Sequence, residues 1–297
     1  MCDQDSIDDM NEFVRRSGDI SRRRFGAMTV GSGLAMLLPR LSDAADVTES
    51  EVEIKTADGV ADAYFVHPAT GTHPAVLIWP DIFGLRPAFR QMGKRLAESG
   101  YAVLVVNPFY RAKKAPTAPV GADFQDPATR QMLMGLMNAL TAETAVTDAK
   151  AFVPWLDSQA SVSKKRKMAT TGYCMGGPFT LRTAAAFPDR IGAGASFHGG
   201  GLVTDTPNSP HLLAPKMKAR LYIGIASNDD QRQPDAKDKL KAAFAAAKRP
   251  TEIEVYKSLH GWCVPDMPAD ATGPIYNKPE AEKAWAKLVH LYKTALV

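Results

Sequence analysis

The amino-acid sequence predicts an α/β fold, a mostly parallel central sheet with helices on both faces. Three observations predict it. Segments of strand length alternate with segments of helical period along most of the chain, the pattern of parallel strands joined by helical crossovers. Two strand-length segments, Pro74-Ala75-Val76-Leu77-Ile78-Trp79 and Tyr101-Ala102-Val103-Leu104-Val105-Val106, are continuously apolar, as strands buried on both faces must be. The polar residues best suited to chemistry are Asp81, Cys174, Asp229 or Asp230, and His260. Each follows a predicted strand, at the edge where such sheets hold their ligands.

Residues 1–45 stand apart. Met1 to Asp19 is polar and acidic with no hydrophobic period, and reads as disordered. Ser21-Arg22-Arg23-Arg24-Phe25 then precedes a mildly apolar, glycine-containing run from Gly26 to Pro39, which resembles a twin-arginine export signal. The run is too short and too rich in glycine for a spanning helix, and Ser42, Ala44 and Ala45 offer small residues for cleavage. On this reading the protein is periplasmic or otherwise exported, with the export machinery as a partner, and residues 46–297 form one α/β domain. A cytoplasmic location is the alternative.

Within that domain, Glu51 to Thr56 alternates polar and apolar, Asp58-Gly59 makes a turn, and Ala61 to His67 returns: an antiparallel hairpin at a sheet edge. After the strand at 74–79 comes an amphipathic helix from Pro87 to Ser99, closed by Gly100. The strand at 101–106 leads into a long Pro- and Gly-containing loop, Asn107 to Asp126, of a length that is often functional. Helices are expected over Thr129–Leu140 and Ala142–Leu156, then a strand at Met168–Thr171 and a helix at Pro178–Phe187. Gly192–Phe197, Ala219–Ala226 and Thr251–Tyr256 read as the remaining strands, with Asn228-Asp229-Asp230 in a loop and a helix over Asp235–Ala247. Glu280 to Leu296 closes the chain as a helix with Ala281, Ala284, Leu288 and Leu291 on one stripe.

Composition narrows the function. A chain of 297 residues with 45% hydrophobic and 23% charged residues is ordinary for a globular protein. A net charge of +4, with no basic stripe interleaved with aromatics, argues against a nucleic-acid partner. The basic run Lys164-Lys165-Arg166-Lys167 reads as a solvated loop. Three cysteines, Cys2, Cys174 and Cys263, make no disulfide framework, and no Cys-x-x-Cys or His-x-x-x-His spacing marks a metal. No cofactor and no resident metal is expected, and composition leaves the oligomeric state open.

The chemistry centres on Gly172-Tyr173-Cys174-Met175-Gly176-Gly177. Strand, tight glycine-flanked turn, nucleophile and helix is the pattern of a nucleophile elbow, with cysteine in place of serine. The glycines are expected where a Cβ would collide with the neighbouring strand or helix. The following helix aims its N-terminus at the sulfur, which favours a thiolate and a developing oxyanion. Nucleophile, acid, histidine is also the chain order of the α/β-hydrolase triad. A thiol needs a base, His260 can take and return the proton, and an acid holds one imidazole tautomer. His198, at another strand end, is a candidate substrate contact or a packing residue. His67, His73, His211 and His290 read as surface or loop residues.

Five pieces together make the chain resemble the dienelactone hydrolase family over roughly residues 50–296. They are Asp81-Ile82-Phe83-Gly84, Asn107-Pro108-Phe109-Tyr110, the cysteine elbow, Asn228-Asp229 and Leu259-His260-Gly261. The resemblance implies an α/β-hydrolase fold and cleavage of a small ester or lactone substrate. It implies Cys174 as nucleophile, His260 as base, and Asp229 as triad acid with Asp230 as its rival. It implies an oxyanion hole from the backbone N–H groups of Ile82 and Met175. Substrate contacts would come from Asp81, Arg130 and Tyr110, with Asp81 standing where the family has a glutamate that touches the resting thiol. A family arginine four residues after the histidine is replaced by Val264, which weakens the case for dienelactone itself. A general carboxylesterase or thioesterase, and a hydrolase-fold protein that binds without turnover, are the competing readings. Pairing of Cys174 with Cys263 is a further one.

Overall fold

A computed structural model of the protein describes residue 38 and residues 44–119, 121–270 and 273–297. All that follows belongs to the unit formed by residues 40–297. The leader expected over residues 1–45 lies outside the described residues except for Leu38, Ala44 and Ala45.

The chain begins with two long strands, β1 (Val47–Thr56) and β2 (Gly59–Pro68), paired antiparallel across the Asp58-Gly59 turn. The sheet has eight strands in the order β1-β2-β4-β3-β5-β6-β7-β8. The others are β3 (Ala75–Trp79), β4 (Ala102–Val106), β5 (Met168–Tyr173), β6 (Ile191–Phe197), β7 (Arg220–Ala226) and β8 (Thr251–Tyr256). From β4 to β8 every neighbouring pair is parallel, while β2 runs antiparallel to both β1 and β4. Every residue of β3, β4 and β5 is buried, which for β3 and β4 is what the unbroken apolar runs required.

Seven α-helices occur among the described residues: α1 (Pro87–Glu98), α2 (Pro127–Met137), α3 (Ala142–Ser158), α4 (Gly176–Ala186), α5 (Ser227–Arg232), α6 (Ala236–Ala246) and α7 (Lys278–Ala295). Their starts follow local chemistry. Asp126 caps α2 by accepting from the Thr129 N–H at 2.7 Å, with Pro127 at the first helical position. Thr141 and Thr144 form a reciprocal capping box at the start of α3. α1 packs on β2 and β4, α4 on β5 and β6, and α7 on β6 and β7.

Three details depart from the sequence reading. Asn228-Asp229-Asp230 belongs to the short helix α5 rather than a loop. A 3-10 helix at Pro210–Lys216 had no periodic signal. The buried stripe of α7 ends on Tyr292 instead of Leu291, because the Tyr292 ring packs edge-on against Tyr101 at 5.5 Å. The basic run 164–167 is exposed, as expected of a solvated loop.

The strand order explains where a site can form. From β3 the chain crosses to β4 on one side, then returns past β3 to β5 on the other. The loops leaving the carboxyl ends of β3 and β5 therefore diverge and open a crevice. Asp81-Ile82-Phe83-Gly84 lies on one side of it and Cys174-Met175 on the other.

Candidate active site

Cys174 sits at the turn between β5 and α4 with φ +52, a left-handed backbone that a non-glycine residue rarely adopts. The surroundings enforce it. The Cys174 N–H donates to the Phe197 carbonyl at 3.0 Å, and the Cys174 carbonyl accepts from Gly177 at 3.1 Å and Gly200 at 3.3 Å. The flanking glycines are sterically required. A Cβ on Gly172 would strike the Gly176 carbonyl, and one on Gly176 would strike the Trp79 carbonyl. Strain concentrated in this way at one residue is a mark of functional sites.

His260 follows β8. Its backbone N–H donates to Asn228 Oδ1 at 2.9 Å, and the Ser227 N–H reaches the Ser258 carbonyl at 2.9 Å, so the loop carrying the imidazole is tied to the start of α5. Asp229, one residue further along α5, places Oδ2 2.7 Å from His260 Nδ1. Asp230 turns away and is held by Lys237 Nζ at 2.7 and 2.8 Å. The α5 helix separates the two neighbouring carboxylates, a choice that spacing could not make. On its other side His260 faces the Cys174 side chain, with one ligand atom from each within 4.8 Å of the other. Burial opposes charge on this imidazole, but the Cys174 sulfur and the Asp229 carboxylate outweigh it and push the His260 pKa up to about 10.

The structure thus joins Cys174, His260 and Asp229 in one chain of neighbouring side chains at the carboxyl edge of the sheet. Ile82 and Met175 flank the crevice, both nearly buried. Among the described residues neither backbone N–H is taken by a protein acceptor.

Asp81, Tyr110 and Arg130 are not part of that chain. Asp81 is 1% exposed and its carboxylate grips Arg86 with both oxygens, at 2.6 and 3.0 Å. Arg86 in turn holds Asp266 at 2.9 Å through Nε and Nη2. The shorter aspartate is therefore spent on a guanidinium five residues along its own loop. The Tyr110 hydroxyl donates to Asp148 at 2.7 Å and pairs with Thr56 at 2.8 Å, inside a buried cluster completed by Arg111. Arg130 lies on the first turn of α2 and is exposed.

Position in the sequence left His198 as either a substrate contact or a packing residue. It is 1% exposed, carries φ +40, and lies edge-on to His260 with ring centroids 4.7 Å apart. Its place at the end of β6, one strand from the elbow, was the available signal. Arg86 gave no signal at all, since its partners lie 5 and 180 residues away. Cys263 is buried, and both Cys174 and Cys263 are free thiols; burial pushes the Cys263 thiol well up, which makes it a poor nucleophile.

An eight-stranded, mostly parallel sheet with an elbow nucleophile and a histidine after the last strand defines an α/β-hydrolase. The match to known proteins is narrower. Residues 61–296 match the model of the dienelactone hydrolase family, and the chain belongs to that family. It is 26% identical over 233 residues to a carboxymethylenebutenolidase of Rhodococcus opacus, covering 76% of this chain and 83% of that one. It is 24% identical over 251 residues to carboxymethylenebutenolidase 1 of Cupriavidus pinatubonensis, covering 84% and 96%. In structure it resembles a dienelactone hydrolase-like promiscuous phosphotriesterase from metagenomic libraries, with a TM-score of 0.67 at 19% identity over 84% of this chain and 99% of that one. A dienelactone hydrolase of Anabaena variabilis is similar with a TM-score of 0.54 at 18% identity, covering 84% and 99%. The protein is a hydrolase of this family.

Proposed function

We propose that the protein cleaves a small ester or lactone through a thioester on Cys174, and that its leader exports it from the cytoplasm. The single observation carrying the chemistry is the placement of His260, bonded to Asp229 at 2.7 Å on one side and within 4.8 Å of Cys174 on the other. The Cys174 thiolate adds to the carbonyl carbon, and the electron pair moves onto the carbonyl oxygen, between the Ile82 and Met175 N–H groups. The intermediate collapses, the C–O bond breaks, and His260 gives its proton to the leaving alkoxide. Water then loses a proton to His260 and attacks the thioester carbonyl. The acid leaves and the thiolate–imidazolium pair is restored. Asp229 keeps Nδ1 protonated throughout, so that the other nitrogen faces the sulfur.

The substrate is small and need not carry a carboxylate. Val264 supplies no guanidinium, Arg86 is consumed by Asp81 and Asp266, and Arg130 is exposed on α2. This supports a neutral or weakly polar ester or lactone over a dicarboxylate-type anion, which wants a bidentate arginine. The test is a panel of lactones and short esters, with and without a free carboxylate, run on wild type beside Cys174→Ala. Turnover of neutral substrates that vanishes in Cys174→Ala supports the proposal. Binding of those substrates without turnover would favour the non-catalytic reading.

Export rests on the paired arginines before the apolar run. Fractionation of cells expressing the full chain tests it: a shorter mature form outside the cytoplasm is expected, and Arg22→Lys with Arg23→Lys should hold the protein inside. Full-length protein in the cytoplasm of the wild type would refute export.

A further inference from the structure

His198 is buried beside the triad, and neither of its ring nitrogens has a hydrogen-bond partner. An imidazole so placed costs free energy and calls for an explanation. The backbone shows the ring is held there. His198 has φ +40, its N–H donates to the Gly224 carbonyl at 2.8 Å, and the ring is wedged against Trp262, with centroids 5.3 Å apart. Its neighbours are ligands. One donor atom each from Cys174, His198 and His260 lie within 4.8 Å of one another.

We infer that these three residues form a site for a thiophilic divalent cation of the zinc class, whose binding reversibly blocks the nucleophile. One sulfur and two imidazole nitrogens are a ligand set that suits this cation, with a fourth position left for water or substrate. Bonds of about 2.3 Å to sulfur and about 2.0–2.1 Å to nitrogen put tetrahedral ligands roughly 3.3–3.6 Å apart, so no pair within the 4.8 Å cluster needs to close by more than about 1.5 Å. Cys174 and His260 are part-exposed and supply that movement, while His198 is the fixed post. The outer shell is already built. Asp229 holds His260 Nδ1 at 2.7 Å, which fixes the imidazole with its other nitrogen towards the sulfur, as in a carboxylate–histidine–metal arrangement. The sequence hides this site because its ligands come from the ends of β5, β6 and β8, without local spacing. Binding forms three metal–ligand bonds and releases the proton shared between Cys174 and His260; no electron changes hands.

The full chain is stripped with chelator and titrated with Zn2+ against a chromophoric competitor, and with Co2+ as a spectroscopic probe. One equivalent is expected to bind, with a thiolate-to-cobalt charge-transfer band in the near ultraviolet that Cys174→Ala abolishes. Asp229→Asn is expected to weaken Zn2+ by roughly 10–100-fold, and His198→Gln, which removes a ligand, by at least as much. Should His198→Gln not fold, X-ray absorption of zinc-loaded wild type decides: one sulfur and two imidazoles support the site. Failure to bind, binding without the charge-transfer band, an unchanged Kd in a folded His198→Gln, or a single imidazole at the zinc would each overturn it. None of these readouts depends on turnover, so loss of the hydrolase reading would leave the metal test standing.

Discussion

Replacing Asp229 and Asp230 separately by asparagine distinguishes two carboxylates that differ by one position. Asp229 Oδ2 is 2.7 Å from His260 Nδ1 and only 16% of its side chain is exposed. A hydrogen bond between charged groups at such a site contributes about 1.5–3 kcal/mol. That converts to roughly 10–150-fold in kcat/KM. Asparagine can also present its NH2 to Nδ1 and select the wrong tautomer, an effect that reaches about 10⁴ in a related constellation. Asp229→Asn should therefore lose between about 10² and 10⁴ in kcat/KM. The pH profile gives an independent reading. His260 is pushed up to about 10, and Asp229 is among the causes, so removing that negative charge disfavours the imidazolium. The alkaline limb should move to lower pH in Asp229→Asn. Asp230 is committed to Lys237, so Asp230→Asn should cost less than about 5-fold, a surface ion pair being worth at most about 1 kcal/mol, and should leave the limb in place. The assay is p-nitrophenyl acetate hydrolysis from pH 6 to 11 on all three proteins. Equal modest losses, or an alkaline limb that stays put in Asp229→Asn, would refute the assignment.

Other outcomes follow from the same geometry. Cys174→Ala should abolish the burst of p-nitrophenol and the iodoacetamide labelling that maps to the peptide carrying residue 174 at neutral pH, while Cys263, being buried, should stay unlabelled in the native protein until denaturant is added. Arg86→Met leaves Asp81 buried and uncompensated and should cost about 3–5 kcal/mol in urea unfolding; a loss under about 1 kcal/mol would mean that Asp81 finds another partner. Gly176→Ala drives a methyl into the Trp79 carbonyl and should lower stability by at least about 1–3 kcal/mol, with near-complete loss of activity; unchanged melting would contradict the elbow geometry. Asn228→Ala frees the His260 N–H and should reduce kcat several-fold with little change in KM, consistent with about 1 kcal/mol for one hydrogen bond.

What the sequence determined by itself is what local pattern can carry. The period and burial of β3 and β4 follow from unbroken apolar runs, and the elbow from glycines at 172 and 176 around Cys174. The chain order of nucleophile, acid and histidine followed likewise, and with it the family. The tertiary structure alone decided whatever depends on residues meeting across the sheet. It set Asp229 rather than Asp230 against His260, because a short helix turns neighbouring side chains about 100° apart. It spent Asp81 on Arg86, a pairing made only when the loop after β3 folds back on α1. It brought His198 from β6 to the ring edge of His260 from β8, two strands away in the sheet. Sequence periodicity reports which face of an element is buried; which side chains converge at its end depends on strand order, and that is a property of the whole chain packed at once.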